Sequence, residues 1–316
     1  MANDPNGDFP VDPHLTAIAV AYKNPDKVLI ADSVLPRDAS LSETLFSYSK
    51  AKDIHQAVTL PQTAVGPRGK VNRLELQMED ATASTEDEAI DIPLSAYDLK
   101  RKGAREGATG LATSIIQLRH ELKVASLVFA AAQYPTAQKE ELEGEERLDH
   151  EDYAGNPLAL IDDAITAMLL RGNIAVFGRK AWSVFRKLPG VVKAVQGNSG
   201  DSGLATQAQV ASLFGLQEVL VGEGWLNTAK PGEAAVMAEV WGPHIAIIHR
   251  DRTASTQGGV TFGLTAQYGQ IVSGSIPDKN VGLRGGEIVR VGESVKPLIV
   301  APYGGYFLEN VVGEAA

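Results

Sequence analysis

Leu111, Ile115, Leu118, Leu122, Ala125, Phe129 and Ala132 recur along the chain in alternating steps of four and three. That spacing places all seven on one face of a helix. A helix over residues 107–133 would be roughly 40 Å long at 1.5 Å per residue, well beyond the usual three turns or so. Taken alone, such a stripe fits the core helix of an ordinary enzyme equally well. Its surroundings point to a structural strut. Before it, Leu74, Leu76 and Met78 alternate with Glu75, Gln77 and Glu79, and Ile90, Ile92 and Leu94 alternate with Asp91 and Pro93. Period-2 alternation predicts half-buried strands. Gly66-Pro67-Arg68-Gly69 signals a turn, and Pro93 places its strand at a sheet edge or a strand end. Together these predict a projecting ribbon.

Beyond the long helix the punctuation is that of an α/β region. Asn156 suits an N-cap and Pro157 the first helical position. Leu158, Ile161, Ile165, Met168 and Leu169 form the apolar face of that helix, Asp162 and Asp163 lie in its N-terminal half, and Gly172 reads as its stop. Residues 174–177 read as a short strand, and 181–188 as a helix cut by Pro189. Thr206-x-x-Gln209 is a capping box for a helix ending at Gly215. Residues 216–221 read as a further strand. The last third is strand-rich, with runs at 245–248, 260–268, 287–291 and 298–300. The first fifty-odd residues hold only fragments: two helical turns at 15–22, an apolar run at 28–30 and another at 46–48. These cannot close a core alone and must lie on the rest of the chain or on a neighbour. No internal repeat is present.

Composition narrows the function classes. The 316 residues can bury one large core or two modest ones. No run of eighteen apolar residues predicts a membrane span. The first fifteen residues are polar and acidic, without the pattern of a secretory leader. There is no cysteine, which excludes disulfides, thiolate metal sites and cysteine nucleophiles. The net charge is −10, with six acids and no Lys or Arg between Glu79 and Asp91, and eight acids and one Arg between Glu140 and Asp152. Both clusters read as solvated acidic loops, the opposite of a phosphate-gripping surface.

Candidate chemistry is sparse. Gly200-Asp201-Ser202-Gly203 matches the surroundings of a trypsin-like nucleophile, but the region is helical and the loop is rich in Gly, Ser and Asn. Gly66-Pro67-Arg68-Gly69-Lys70 lacks the spacing, the Ser/Thr and the following helix of a phosphate loop. His244 and His249 flank a strand, which predicts no shared metal. Asp162 and Asp163 are adjacent on a helix and diverge. Gly222-x-Gly224 lacks the third glycine of a dinucleotide loop. The sequence therefore assigns no catalytic, cofactor-binding or metal residue.

One whole-chain resemblance remains. Asp12-Pro13-x-Leu15-Thr16-x-Ile18-Ala19-x-Ala21-Tyr22, Leu60-Pro61-Gln62-Thr63 with Gly66-Pro67, and Asp91-Ile92-Pro93-Leu94 occur in order. They are followed by Val281-Gly282-Leu283-Arg284-Gly285-Gly286, Val289-Arg290-Val291-Gly292, Val300-Ala301-Pro302 and Tyr306-x-Leu308-Glu309-Asn310. This series resembles the major capsid proteins of tailed double-stranded DNA bacteriophages. The resemblance implies an α+β, Hong Kong 97-type phage capsid fold. It implies an N-terminal arm (1–57), an extended β loop lying across the next subunit (58–98), a peripheral domain with the spine helix (99–171 and 250–292) and an axial domain (172–249 and 293–316). It further implies a non-enzymatic subunit that self-assembles through pentamers and hexamers into an icosahedral shell. The shell would enclose DNA without sequence-specific binding, be assembled in the host cytoplasm, and have scaffolding, portal and decoration proteins as further partners. No cofactor and no membrane enter this picture. An encapsulin-like cellular shell is the alternative, and a hydrolase using Ser202 a distant third.

Overall fold

Two sheets of different character organise the chain in the computed structural model, which describes residues 9–21, 29–51, 63–65, 69–71, 78–197, 203–230 and 232–313. The first sheet is built on a long hairpin of β11 (Gly263–Asp278) and β12 (Gly286–Ile299). β1 (Arg37–Leu41) adds to β11 in parallel, and β4 (Glu86–Ser95) adds to β12 antiparallel, giving the order β1-β11-β12-β4. Pro93 thus lies in an edge strand, as its missing N–H requires. Sequence reading broke the hairpin into shorter strands at its glycines and prolines. Gly269 instead sits at an irregularity between Tyr268 and Val272, with φ at 66°. Pro277 and Pro297 lie where their strands are paired on one side only.

The second sheet has the order β5-β13-β10-β6-β7, comprising β5 (Lys139–Glu141), β6 (Ile174–Gly178), β7 (Glu218–Gly222), β10 (Ile245–Ile248) and β13 (Gly305–Glu309). β6 and β10 read as unbroken apolar runs because both their faces are covered, whereas β5 at the edge is charged and exposed. Ile245 and Ile247 of β10 face one core with α4 (Pro157–Ala167), α5 (Arg179–Phe185), α6 (Pro189–Gln196) and α7 (Gln207–Phe214). Ala246 and Ile248 face a second core, built with Trp241, Phe307 and the C-terminal half of α3 (Ala104–Val128). β5 and α4, read from sequence within 99–171, pack in this layer. The capping signals hold in detail. Asn156 accepts the Leu158 N–H at 3.0 Å, Thr206 and Gln209 cap each other's backbone, and Gly215 takes the left-handed conformation at φ 64°.

Helix α3 joins the two layers. It begins after Gly103, ends at Val128 and is followed by a short 3-10 turn at Ala131–Gln133, so it is shorter than the expected 107–133. Its buried seam also differs from the expected stripe. Ala108, Ala112, Ile116, His120, Val124 and Val128 face inward, whereas Leu111 and Ile115 are 56% and 40% exposed and Ala132 lies outside the helix and is exposed. The inward residues of the first turns are small, and they let the helix lie close on Val291 and Ile90 of the sheet. Thr109 and Thr113 sit in this seam with each hydroxyl donating to the carbonyl four residues back. The stripe seen in sequence becomes core only in its second half, where Ala125 is buried in the second core and Leu118, Leu122 and Phe129 flank it.

The first acidic cluster is not a solvated loop. Glu86, Glu88 and Asp91 lie on β4 and meet cations from α3 and β12. Lys123 is 2.8 Å from Glu86 and 2.5 Å from Glu88, Lys296 is 2.5 Å from Glu86, and Arg290 is 2.7 Å from Asp91. Sequence distance hid these partners, which lie 35 or more residues away from each acid. Hydrogen bonds from Lys123 and Lys296 hold the Glu86 carboxyl down at about 2. A depressed carboxylate adds stability above its unfolded pKa and loses it as pH falls through the folded value. Glu86→Gln is therefore expected to flatten part of the thermal-stability loss between about pH 4.5 and 2. Melting temperatures across that range test this, and an unchanged pH profile would remove the role. The second cluster, at 140–152, has exposed acids, and it is tied to the C-terminal segment by buried Leu142 and Leu148 and by hydrogen bonds from Asn310 to Glu141 and from the Gly313 N–H to Asp149.

Candidate assembly surfaces

Among the described residues, three surface features expose apolar side chains. The first is a two-stranded ribbon, β2 (Leu45–Ala51) against β3 (Met78–Ser84), in register from Leu45↔Ser84 to Ala51↔Met78. Phe46, Tyr48 and Ala83 anchor its root on Leu264, Leu298 and Val300, while Leu45 stays exposed. One strand comes from before residue 57 and one from after it, so the ribbon spans the boundary read between arm and loop. Two strands alone are marginal in water, so the part beyond the root depends on other contacts. The second feature is the pair Leu111 and Ile115 on the outer side of α3. The third is the small hairpin of β8 (Trp225–Asn227) and β9 (Met237–Glu239). Leu226 faces the second core, while Trp225, Val236 and Met237 are exposed. The Arg179 guanidinium stacks over the Trp225 ring at 5.2 Å.

The N-terminal fragments are fixed to the body by a buried polar junction. α1 (Pro13–Ala21) packs on β11 and α3, and Thr16 exchanges hydrogen bonds with the Ser273 backbone. The four-residue helix α2 (Ala31–Val34) is capped from outside its own segment. Glu121, fully buried in the middle of α3, accepts the Ile30 N–H at 2.9 Å, the Ala31 N–H at 2.7 Å and the Trp241 Nε1–H at 2.5 Å. Burial pushes its carboxyl above the usual range against these three donors. The Arg250 guanidinium donates to the Ser33 carbonyl and to Glu218. Arg37 bridges Asp32 at 2.7 Å and Glu293 at 2.6 Å. Burial disfavours the Asp32 carboxylate, but contacts from His120 and Arg37 outweigh it and bring the carboxyl down to about 2. A cleft of about 630 Å³ opens beside this junction, lined by Asp32, Arg37, Gln117, His120, Glu121 and Gln207 among others. The sequence showed none of this network. Glu121 stands among Gln117, Arg119, His120 and Lys123, so nothing around it marks it as buried.

The motifs considered for chemistry scatter or serve packing. Ser202, with Gly200 and Asp201, and the Gly66-Pro67-Arg68 turn lie outside the described residues. Gly69 and Lys70 are exposed. His244 accepts the Asn310 N–H at 2.9 Å, and His249 lies 2.9 Å from the Arg171 carbonyl at the other end of β10. No group of three metal-ligating side chains occurs among the described residues. Asp162 and Asp163 are both exposed. Gly222 leaves room for the Trp241 indole, and Gly224 for Leu29 and Val240. Gly172 is not the expected helix stop, because α4 ends at Ala167; a Cβ there would lie 2.5 Å from Ile247.

Comparison with known proteins decides the family. The chain is 44% identical over 311 residues to the major capsid protein of Pseudomonas phage JBD67, covering 97% of this chain and 99% of that one. The chain belongs to the phage major capsid proteins. A second major capsid protein, from Burkholderia phage BcepMu, is 23% identical over 326 residues, covering 96% and 97% of the two chains. No family model matches the chain. Among solved structures, a phage-related protein of Bordetella bronchiseptica RB50 superposes with a TM-score of 0.73 at 21% identity, over 95% of this chain and 97% of that one. The fold is the Hong Kong 97-type capsid fold. An encapsulin, SrpI of Synechococcus elongatus PCC 7942, shares the fold at a TM-score of 0.50 and 10% identity, over 96% and 98% of the chains. Fold alone therefore does not separate a phage capsid protein from an encapsulin, and the sequence relationship does. This capsid protein is a structural, self-associating component of the virion.

Proposed function

We propose that the protein is the head subunit of a tailed double-stranded DNA phage and closes into an icosahedral shell through pentamers and hexamers. The observation that carries this is a full-length relationship to a phage major capsid protein in a chain that exposes a two-stranded ribbon, a bare stripe on α3 and an apolar hairpin. In this reading α3 with the β1-β11-β12-β4 sheet is the peripheral domain. The five-stranded sheet with α4–α7 is the axial domain, which meets its copies at the five- and six-fold centres. The ribbon, taken as residues 45–84, crosses onto a neighbouring peripheral domain, and α1 and α2 are the fixed root of the arm. Scaffolding, portal and decoration proteins are further partners, assembly takes place in the host cytoplasm, and no residue is assigned a catalytic role.

The shell would hold DNA without gripping it through a basic lining. At net charge −10, free subunits are expected to show no tight, salt-sensitive binding to duplex DNA. A filter-binding titration at two salt concentrations checks this. Electron microscopy of particles made in the host tests the reading as a whole. Shells filled with DNA support it, shells filled with a protein cargo would replace it with a nanocompartment, and a monomer under all conditions would end it.

A further inference from the structure

Every copy in a one-component ring must offer a flank that fits the opposite flank of the next. The five-stranded sheet ends in two edges of opposite charge. At the β5 edge the chain enters the acidic loop, where Glu140, Glu143, Glu145, Glu146, Glu151 and Asp152 are exposed. None of them forms an ion pair with a Lys or Arg among the described residues. At the β7 edge the chain enters the β8–β9 hairpin, against which α5 lies through the Arg179–Trp225 contact. Between residues 179 and 196 there are five basic residues, Arg179, Lys180, Arg186, Lys187 and Lys193, and no acid. These five also make no ion pair among the described residues. Glu223, Glu233 and Glu239 are the acids at the hairpin and Lys230 adds a base there, so the hairpin and the 179–196 segment together stay net positive.

The contrast with β4 matters. There the chain neutralises its own acids through Lys123, Lys296 and Arg290. Here acids in the loop after β5 and bases on α5 and α6 are left without ion pairs among the described residues, in a protein of net charge −10. Arg179 and Arg186 lie on the β7 side, beside Trp225 and Glu223, while the α5–α6 corner at 188–190 borders the end of the acidic loop. The basic flank also carries the apolar anchors Trp225, Val236 and Met237. An aromatic anchor rimmed by complementary charge is the composition of a specific interface.

We propose that the α5 and β8–β9 flank of one copy docks on the acidic loop 140–152 of a second copy, head to tail, around the capsomer. This rests on the shell reading and names the contact that closes its rings. Charge steers and orients the two flanks, and Trp225 becomes buried as they meet.

Trp225 reports the contact directly. Of the three tryptophans, Trp182 and Trp241 are buried in the subunit and only Trp225 is exposed. Acrylamide should therefore quench one accessible tryptophan in dissociated wild-type subunits and almost none in assembled particles. Two variants extend the test: Arg179→Glu/Arg186→Glu/Lys187→Glu reverses the basic flank, and Glu143→Lys/Glu145→Lys/Glu146→Lys reverses the acidic loop. Each alone should need about tenfold more protein or more to assemble, and the six-fold combination should restore assembly. A mixture of the two triple variants should form six-membered rings, since opposite flanks can alternate around six positions and not around five. Circular dichroism confirms that each variant is folded. Wild-type particles with Trp225 still fully quenchable would overturn the proposal while leaving the shell intact. So would single-flank variants that assemble normally, or a folded combination that does not assemble. Absence of wild-type particles would count against the shell reading instead.

Discussion

Replacing residues 52–77 with an Asn-Gly turn is expected to give a folded subunit that forms no closed shell. Ala51 and Met78 are direct partners in the ribbon register, so a two-residue turn joins them without moving either strand. The root of the ribbon stays, with Phe46 on Leu264 and Leu298. β4 also stays whole, and with it the pairs of Glu86 and Glu88 to Lys123. A cut reaching residue 88 would break those pairs and confuse folding with assembly. The removed 26 residues, thirteen a side, reach at most about 45 Å when extended. That is enough to cross a neighbouring subunit, so the loss falls on contacts between subunits. Circular dichroism and thermal melting are expected to match the wild type, and micrographs to show no complete particles. Normal shells would refute the role given to the ribbon. An unfolded variant would mean that the segment belongs to the core.

Local rules were read correctly wherever a single segment decides them. The Thr206–Gln209 box, the Asn156–Pro157 start, the edge position of Pro93 and the doubly covered β10 all depend on neighbours in sequence or on burial alone. Errors came where tertiary contacts choose between equally good local patterns. In α3 two seams compete: a bulky one through Leu111 and Ile115, and a lean one through Ala108 and Ala112. Hydrophobicity favours the first, but close approach to the sheet selects the second and turns the bulky seam outward. The acids of β4 looked solvated because their partners lie 35 or more residues away. Gly172, Gly222 and Gly224 looked like a stop signal and half a nucleotide loop, yet they make space for Ile247, Trp241, Leu29 and Val240. The assembly surfaces were legible as a surplus, in that arm and ribbon carried apolar positions with no core of their own. The opposed charges at the two edges of the second sheet became visible only when the strand order was known.

The buried junction should be the most sensitive point in the subunit itself. Glu121→Ala removes the acceptor for three N–H groups, those of Ile30, Ala31 and Trp241. Each is buried, and the alanine leaves them no partner. Each buried donor left without an acceptor costs about 1–3 kcal/mol, so the loss should reach several kcal/mol. The loss should appear first where the contact ends, at α2, whose N-terminus has no other cap among the described residues. Glu121→Gln keeps one carbonyl oxygen but turns an amide toward the remaining donor, so it should fall between alanine and wild type. Because burial raises the Glu121 carboxyl, its own titration favours the folded state at low pH and loses that contribution as pH rises through the raised pKa, the reverse of Glu86. Glutamine removes this term. Arg119→Ala, on the exposed side of the same helix with only a 3.7 Å contact to Glu88, should change stability by less than about 0.5 kcal/mol. Urea unfolding midpoints of the three variants, with hydrogen exchange at residues 30–35, measure the order. A Glu121→Ala midpoint equal to that of Arg119→Ala would show that the junction does not hold the arm.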